Sequence, residues 1–515
     1  MGNNVCKSPD NEMFSEISQI YWTELDKDKI NDRIEEKVKL NITITNSRSQ
    51  TYKVTFSIAE NANSVYNPKG ETMELNSETG VIKFPNIFSM DYYFEKHQYI
   101  CFTINCGGDI HEVKTTLGRI MGSKKQLYKY NLPDGEVLEI QGQVIKGNVK
   151  RNVTFIASVN GKLFKNGICF IIKNCGTQNV PLNTLLYKSE VLKGENLHFK
   201  SITIPTTQLS SNNDHADSML SIEVYCCKHK KLLGENTNSL ASFLRKPTLI
   251  HLNEGGSFEI ECKIKTQYTF LEYLKRGTHI ALTIGIDFTG SNGDVSSYNS
   301  LHYIKNNELN AYEKAIKACG DIIAYYNYEQ LFPVYGFGAR LTEFAQVSHC
   351  FPLTGTDNPN IHTIDGVLQE YRKQIPHMMF LGPTKFSPLL KKFNDRVIKE
   401  QANDKFLYHI LMILTDGQID DIKYTINELV KASFQPVSVI IIGIGSGPFG
   451  NMNVLDADTN PFYDSNGKKV ARHLVQFVQF SKLQNNGMVL AEHILEEIPK
   501  QVCEYYEIMN IFPQC

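Results

Sequence analysis

The chain has 515 residues, which at roughly 100–200 residues per domain is enough for about three or four domains. Hydrophobic residues make up 42% and charged residues 21%, ordinary globular usage that excludes wholesale disorder and fibrous repeats. With 53 Lys+Arg against 55 Asp+Glu and a formal charge of -2, nothing in the electrostatics points to nucleic acid as a partner.

The leader begins Met1-Gly2-Asn3-Asn4-Val5-Cys6-Lys7, polar throughout and without the apolar core of a secretory signal. The longest apolar runs, Leu411–Leu414 and Val437–Ile442, fall far short of the roughly 20 residues a membrane helix needs. The 12 cysteines are scattered, with Cys226 and Cys227 adjacent and no Cys-x-x-Cys pair. Neither a zinc site nor a disulfide framework is written there, and a reducing cytosol fits.

From about Lys37 to Ile145 apolar residues alternate with polar ones, as in Val38, Leu40, Ile42, Ile44 and then Val54, Phe56, Ile58. The same texture returns from Val153 to Lys265, through Phe155, Ile168, Phe170, Ile172, Leu220, Ile222 and Val224. Period-two alternation predicts strands, and two all-β sandwiches are the economical reading. Beyond Tyr268 compact apolar strands alternate with amphipathic helices, the pattern of a doubly wound α/β domain. The expected strands are Ile280–Ile286, Leu331–Phe337, Tyr408–Leu414, Val437–Gly443 and Leu474–Phe480; the expected helices are a stripe from Leu309 to Ile323, then Ile364–Gln374, Ile419–Ala432 and Val489–Tyr506. In such a fold ligands sit at the carboxyl ends of the strands.

At the end of the first of these strands stands Asp287-Phe288-Thr289-Gly290-Ser291, presenting one carboxylate and two hydroxyls. Strand order would bring two further oxygen groups to the same edge, Thr384 in Leu381-Gly382-Pro383-Thr384 and Asp416 in Leu414-Thr415-Asp416-Gly417. Hard oxygen donors suit Mg2+ or Mn2+. With only two carboxylates the metal would stay electrophilic and open to water or to an acidic side chain of a partner protein. A strand-ending Asp-x-Thr-x-Ser taken alone is as readily a helix cap; three agreeing loops favour the metal.

These five positions resemble the metal-ion-dependent adhesion site of von Willebrand factor A domains. Longer stretches, among them Phe270-Leu271-Glu272-Tyr273-Leu274, Leu301-His302-Tyr303-Ile304 and Tyr335-Gly336-Phe337-Gly338-Ala339-Arg340, are similar to the A domain of copines. Copines are cytosolic proteins in which two C2 domains precede such an A domain, and the two sandwiches fall where those domains would be. The resemblance implies a multidomain chain: a leader over residues 1–36, C2-like sandwiches over 37–146 and 147–267, and a von Willebrand factor A-like domain over 268–512. It also implies calcium-dependent phospholipid binding at the cytoplasmic face of the plasma membrane.

The residues depart from that pattern at the calcium loops. In the first sandwich Ile100–Ile104 runs into Asn105-Cys106-Gly107-Gly108-Asp109, with one aspartate where a pair is expected; in the second the loop is Tyr225-Cys226-Cys227-Lys228-His229-Lys230-Lys231, with no carboxylate. Ca2+ takes six to eight oxygens, so both sandwiches read as degenerate copies. Lys228, His229, Lys230 and Lys231 offer instead direct attraction to an anionic phospholipid membrane, about 1 kcal/mol per Lys near the surface, or an ordinary solvated loop. Gly2 and Cys6 form a candidate acylation pair, or part of an unmodified leader.

The expected function is therefore a peripheral membrane adaptor; the alternative is a calcium-independent cytosolic scaffold whose last domain is a protein-binding platform. No enzyme is expected: there is no phosphate-loop lysine motif, and Gly443-Ile444-Gly445-Ser446-Gly447 reads as a strand-ending glycine turn rather than a cofactor loop.

Overall fold

Along the strand Glu36–Thr45 the residues Val38, Leu40, Ile42 and Ile44 are buried and the polar residues between them are not. This alternation, repeated in Val137–Ile145 and over the first residues of Thr51–Ala59, accompanies two antiparallel sheets whose apolar faces meet. One sheet has the order Val81–Tyr92, Glu36–Thr45, Val137–Ile145, Leu127–Asn131; the other Asn67–Glu71, Thr51–Ala59, Tyr99–Cys106, Asp109–Thr116. A second sandwich pairs Leu197–His198, Arg151–Asn160, Ser257–Thr266 and Thr248–His251 in one sheet with Pro181–Lys188, Phe164–Gly176, Met219–Cys226 and Lys231–Ser239 in the other. Phe155, Phe170, Ile222, Val224 and Phe258 meet in its core.

This computed structural model describes residues 36–77, 80–145, 151–161, 163–177, 181–209, 218–266, 268–306, 308–341, 346–450, 452–456, 462–483 and 487–513. Gly2 and Cys6 lie outside them. The chain forms two compact units, one within residues 146–268 and the other joining 35–145 to 269–515. In the latter unit the first sandwich docks on the α/β region: the Tyr92 and Tyr326 hydroxyls meet at 2.7 Å, His97 Nδ1 lies 2.9 Å from the Tyr325 hydroxyl, and Gln126 donates to the Leu271 carbonyl.

The α/β region is built on five parallel strands, β1 (His279–Asp287), β2 (Leu331–Phe337), β3 (Leu407–Thr415), β4 (Val437–Gly443) and β5 (Val475–Gln479), in the order β2-β1-β3-β4-β5 with short antiparallel strands at the β2 edge. Leu411 and Ile413 join the core shared with Leu389 and Phe393, while Ile410, Met412 and Leu414 are just as buried on the opposite face. Both faces of the sheet are thus covered, which is why its strands read as unbroken apolar runs. The helices longer than seven residues among the described residues are α1 (Ala311–Ile323), α2 (Ile364–Gln374), α3 (Ser387–Gln401), α4 (Ile422–Ala432), α5 (Gly487–Leu495) and α6 (Ile498–Ile508). Among the described residues no helix is long and apolar enough to cross a membrane.

The helix expected from Ile419 begins at Ile422, and two elements differ more deeply from the sequence expectation. Helix α3 was not expected; Pro388 stands in its first turn, where a missing N–H costs nothing, and Leu389, Leu390, Phe393 and Val397 form its buried stripe. The single helix expected over Val489–Tyr506 is two, because Pro499 opens α6 and its ring is incompatible with helical continuation from α5.

Candidate metal centre

From β1 the chain crosses to β2 on one side and later returns to β3 on the other, so the connections leave the carboxyl ends of β1 and β3 in opposite directions. A crevice opens at such a switch point. Asp287 ends β1 and Asp416 follows β3.

The Asp287 carboxylate is fully buried. Its Oδ1 accepts from the Thr289 N–H at 2.9 Å and from the Thr289 hydroxyl at 2.7 Å, and its Oδ2 accepts from the Thr415 hydroxyl at 2.6 Å. The Thr289 and Ser291 hydroxyls lie 2.9 Å apart, and Ser291 Oγ is 2.9 Å from Asp416 Oδ1. Thr289, Ser291 and the two carboxylates are therefore one continuous chain of oxygens. Thr384 comes alongside through its backbone: Gly290 donates to the Leu381 carbonyl three residues before it, and Thr384 donates its N–H to the Asp420 carboxylate while its carbonyl accepts from the Asp420 N–H.

The protons of this cluster can be counted. Four oxygen–oxygen contacts share the three hydroxyl protons of Thr289, Ser291 and Thr415. Each hydroxyl carries one proton, so with both carboxylates ionised the Thr289–Ser291 contact is left without one. The two ionised carboxylates then leave the cluster with two negative charges that the three neutral hydroxyls do not balance. Burial, and then the Asp416 charge, push the Asp287 carboxyl up to about 7, against the lowering effect of the Thr415 and Thr289 bonds. Burial raises Asp416 as well. A divalent cation would supply the missing charge, and the hard oxygen set matches it. No cluster of three His, Cys, Asp or Glu side chains suited to a metal occurs among the described residues; here two carboxylates are combined with hydroxyls instead.

Several supporting residues have no role at the site that the sequence assigns. His302 Nε2 lies 2.8 Å from the Asp287 carbonyl, so that nitrogen carries the proton, and Nδ1 accepts from the Tyr371 hydroxyl at 2.6 Å. Burial lowers His302 to about 3, which keeps it neutral. Asn292 also donates to the Asp287 and Thr289 carbonyls and accepts from the Tyr312 hydroxyl of α1 at 2.7 Å. Two glycines let the loops close. A Cβ on Gly338 would stand 2.3 Å from Thr289 Cγ2, and one on Gly447 would stand 1.9 Å from the Asp416 carbonyl oxygen. The glycine turn after β4 thus packs under the Asp416 loop.

Lys228, His229 and Lys230 are exposed in the turn between Met219–Cys226 and Lys231–Ser239, far along the chain from this site. Lys230 has a φ of 50°, and His229 Nε2 lies 3.3 Å from Asn166 Nδ2. Lys231 begins the following strand, with its ammonium 3.3 Å from Glu254. At the corresponding hairpin of the first sandwich Gly107 and Gly108 make the turn and Asp109 is exposed. Two carboxylates in the neighbouring loop are already engaged, Asp134 by Arg48 at 2.8 Å and Glu136 by Arg48 at 3.2 Å and by Tyr52 at 2.6 Å.

Residues 300–514 match the Copine family profile. The match includes Thr384 and Asp416 but begins after the Asp287–Ser291 loop. Among solved structures, the chain is similar to the manganese-loaded TRAP protein of Plasmodium vivax (13% identity, 40% of this chain and 70% of that chain, TM-score 0.27). It is also similar to the two tandem C2 domains of extended-synaptotagmin 2 (10%, 48% and 98%, 0.18) and to proximal thread matrix protein 1 of the mussel byssus with a zinc-occupied MIDAS motif (15%, 42% and 46%, 0.26). At these scores none bears on what this chain binds.

Proposed function

We propose, starting from the match of residues 300–514 to the Copine family profile, that the chain is a peripheral membrane adaptor that grips an acidic protein partner through a divalent cation. The observation that carries the reading is the pair of carboxylates Asp287 and Asp416 linked by the Thr289 and Ser291 hydroxyls at the sheet edge. Asp287, Thr289, Ser291, Thr384 and Asp416 are the residues that would hold Mg2+ or Mn2+. Bound there, the cation supplies electrostatic attraction for a carboxylate. Thr415, Asn292 and His302 orient the Asp287 side chain and backbone, and the exposed Gly290–Ser291 edge is where a partner would arrive. The reading gives this site a binding role.

The lipid side of the reading rests on the Lys228–Lys231 turn and on carboxylates already spent on Arg48 and Tyr52, which together favour attachment to anionic phospholipid without calcium. Isothermal calorimetry of the full chain with MnCl2 tests the metal: the wild type should bind one ion and Asp287→Ala none, while far-ultraviolet circular dichroism stays unchanged. Equal affinity in both would refute the assignment.

A further inference from the structure

Beside the metal loop runs a short antiparallel ladder, Ala339–Leu341 against Met378–Phe380, with Arg340 directly opposite Met379. Its inner residues serve the fold: Ala339 is buried, and the Phe380 ring packs 5.6 Å from Phe288 and 5.0 Å from His302. Its outer face is different. Met379 is 50% exposed and Leu381 42% exposed, two apolar side chains two residues apart on the same side of an extended segment. The Arg340 guanidinium rests on the Met379 sulfur at 3.0 Å and meets no carboxylate among the described residues. The ledge joins the metal loop directly, since Leu381 bridges to Thr289, Gly290 donates to the Leu381 carbonyl at 2.8 Å, and Gly338 lies against the Thr289 side chain.

An exposed apolar pair ending in a guanidinium that meets no carboxylate among the described residues, one ladder step from the proposed carboxylate-binding site, has a definite complement. We propose that the partner is an extended segment carrying two acidic residues two to four positions apart, separated by an apolar side chain. The first carboxylate goes to the cation, the apolar side chain covers Met379 and Leu381, and the second carboxylate pairs with Arg340. The spacing follows from geometry: two residues of ladder cover about 6.6 Å, and the loop-to-ledge step and the reach of the arginine add a few ångströms more. Arginine suits the task because its fork binds a carboxylate through two parallel hydrogen bonds. This proposal rests on the metal reading above and deepens it by naming the partner's chemistry.

The test is fluorescence polarisation on the full chain with MnCl2 and two labelled peptides, Gly-Gly-Asp-Leu-Gly-Glu-Gly-Gly and the same sequence with Gln in place of Glu. The wild type should bind the two-acid peptide roughly tenfold more tightly. Arg340→Gln should erase that preference and leave manganese-dependent binding of the one-acid peptide unchanged; Leu381→Ser should weaken both peptides equally. Manganese-dependent binding with no preference for the second acid overturns the ledge proposal alone. Failure of both peptides to show any dependence on manganese overturns the metal reading, and the ledge proposal with it.

Discussion

The Thr415 hydroxyl donates to Asp287 Oδ2 at 2.6 Å, tying the last residue of β3 to the last residue of β1. It supplies one of only three hydroxyl protons in the oxygen cluster. Thr415→Val keeps the shape and removes the proton, leaving a buried carboxylate oxygen without a donor, at a cost of about 1–3 kcal/mol in the metal-free protein. A bound cation would satisfy the orphaned Asp287 oxygen in place of the lost donor. Scanning calorimetry should therefore show a clear loss of Tm in chelator and a smaller one in saturating MnCl2. An equal loss under both conditions would mean that Thr415 is outside the charge balance of the site.

How much of this was legible in the sequence depends on what each residue does. The five parallel strands emerged to within a residue because strands buried on both faces leave continuous apolar runs. Asp287, Ser291 and Asp416 could be picked out because oxygen side chains directly after such runs fall at the sheet edge. Thr415 is a strand residue between Leu414 and Asp416, and nothing in the pattern says which way its hydroxyl turns. His302 acts fifteen residues after Asp287 from an irregular segment without periodicity. Helix α3 was hidden behind Pro388, a residue that breaks helices everywhere except near their start.

Glu36 sets a pH dependence on the junction between the first sandwich and the α/β region. Its Oε1 accepts from the Leu271 N–H at 3.0 Å, and burial, reinforced by the nearby Glu272 charge, pushes its carboxyl up to about 7 in spite of bonds from Thr269 and Leu271. The folded state thus holds the proton more tightly than the unfolded chain. The stabilisation is full below about pH 4.5, declines as pH rises, and is gone above about 7, amounting to at most roughly 3 kcal/mol. Glu36→Gln keeps the acceptor and cannot ionise. Its Tm should exceed that of the wild type at pH 8 and match it near pH 4.5. A constant difference across that range would assign the effect to something other than this proton.

Gly122 ends the helix Leu117–Gly122 against the α/β region, where a Cβ would stand 2.2 Å from the Tyr325 carbonyl oxygen. Backbone cannot step aside as a flexible side chain can. Gly122→Ala should therefore push the sandwich off Tyr325 and Tyr326 and lower stability by about 1–3 kcal/mol, the usual cost of overpacking. Limited proteolysis should cut the variant faster than the wild type, with the hydroxyl contact between Tyr92 and Tyr326 lost. Unchanged Tm and cleavage would show that this docking tolerates a shift.

The basic turn of the second sandwich gives a graded expectation rather than a uniform one. Lys228 and Lys230 stand exposed in the turn itself, whereas Lys231 begins a strand and lies 3.3 Å from the Glu254 carboxylate, which offsets its charge. On a chain of formal charge -2 such a patch acts locally, screened over a Debye length of about 8 Å at physiological salt. Each lysine that reaches an anionic surface contributes about 1 kcal/mol, or roughly fivefold in affinity. Liposomes rich in phosphatidylserine, sedimented in chelator with unacylated protein, should therefore lose more binding with K228Q and K230Q than with K231Q. Salt should weaken the wild type more steeply than the K228Q/K230Q double variant, because fewer charges remain to be screened. Attachment that appeared only with calcium would contradict the reading of these loops. Equal loss from all three single variants would show that Glu254 does not hold Lys231 back from the membrane.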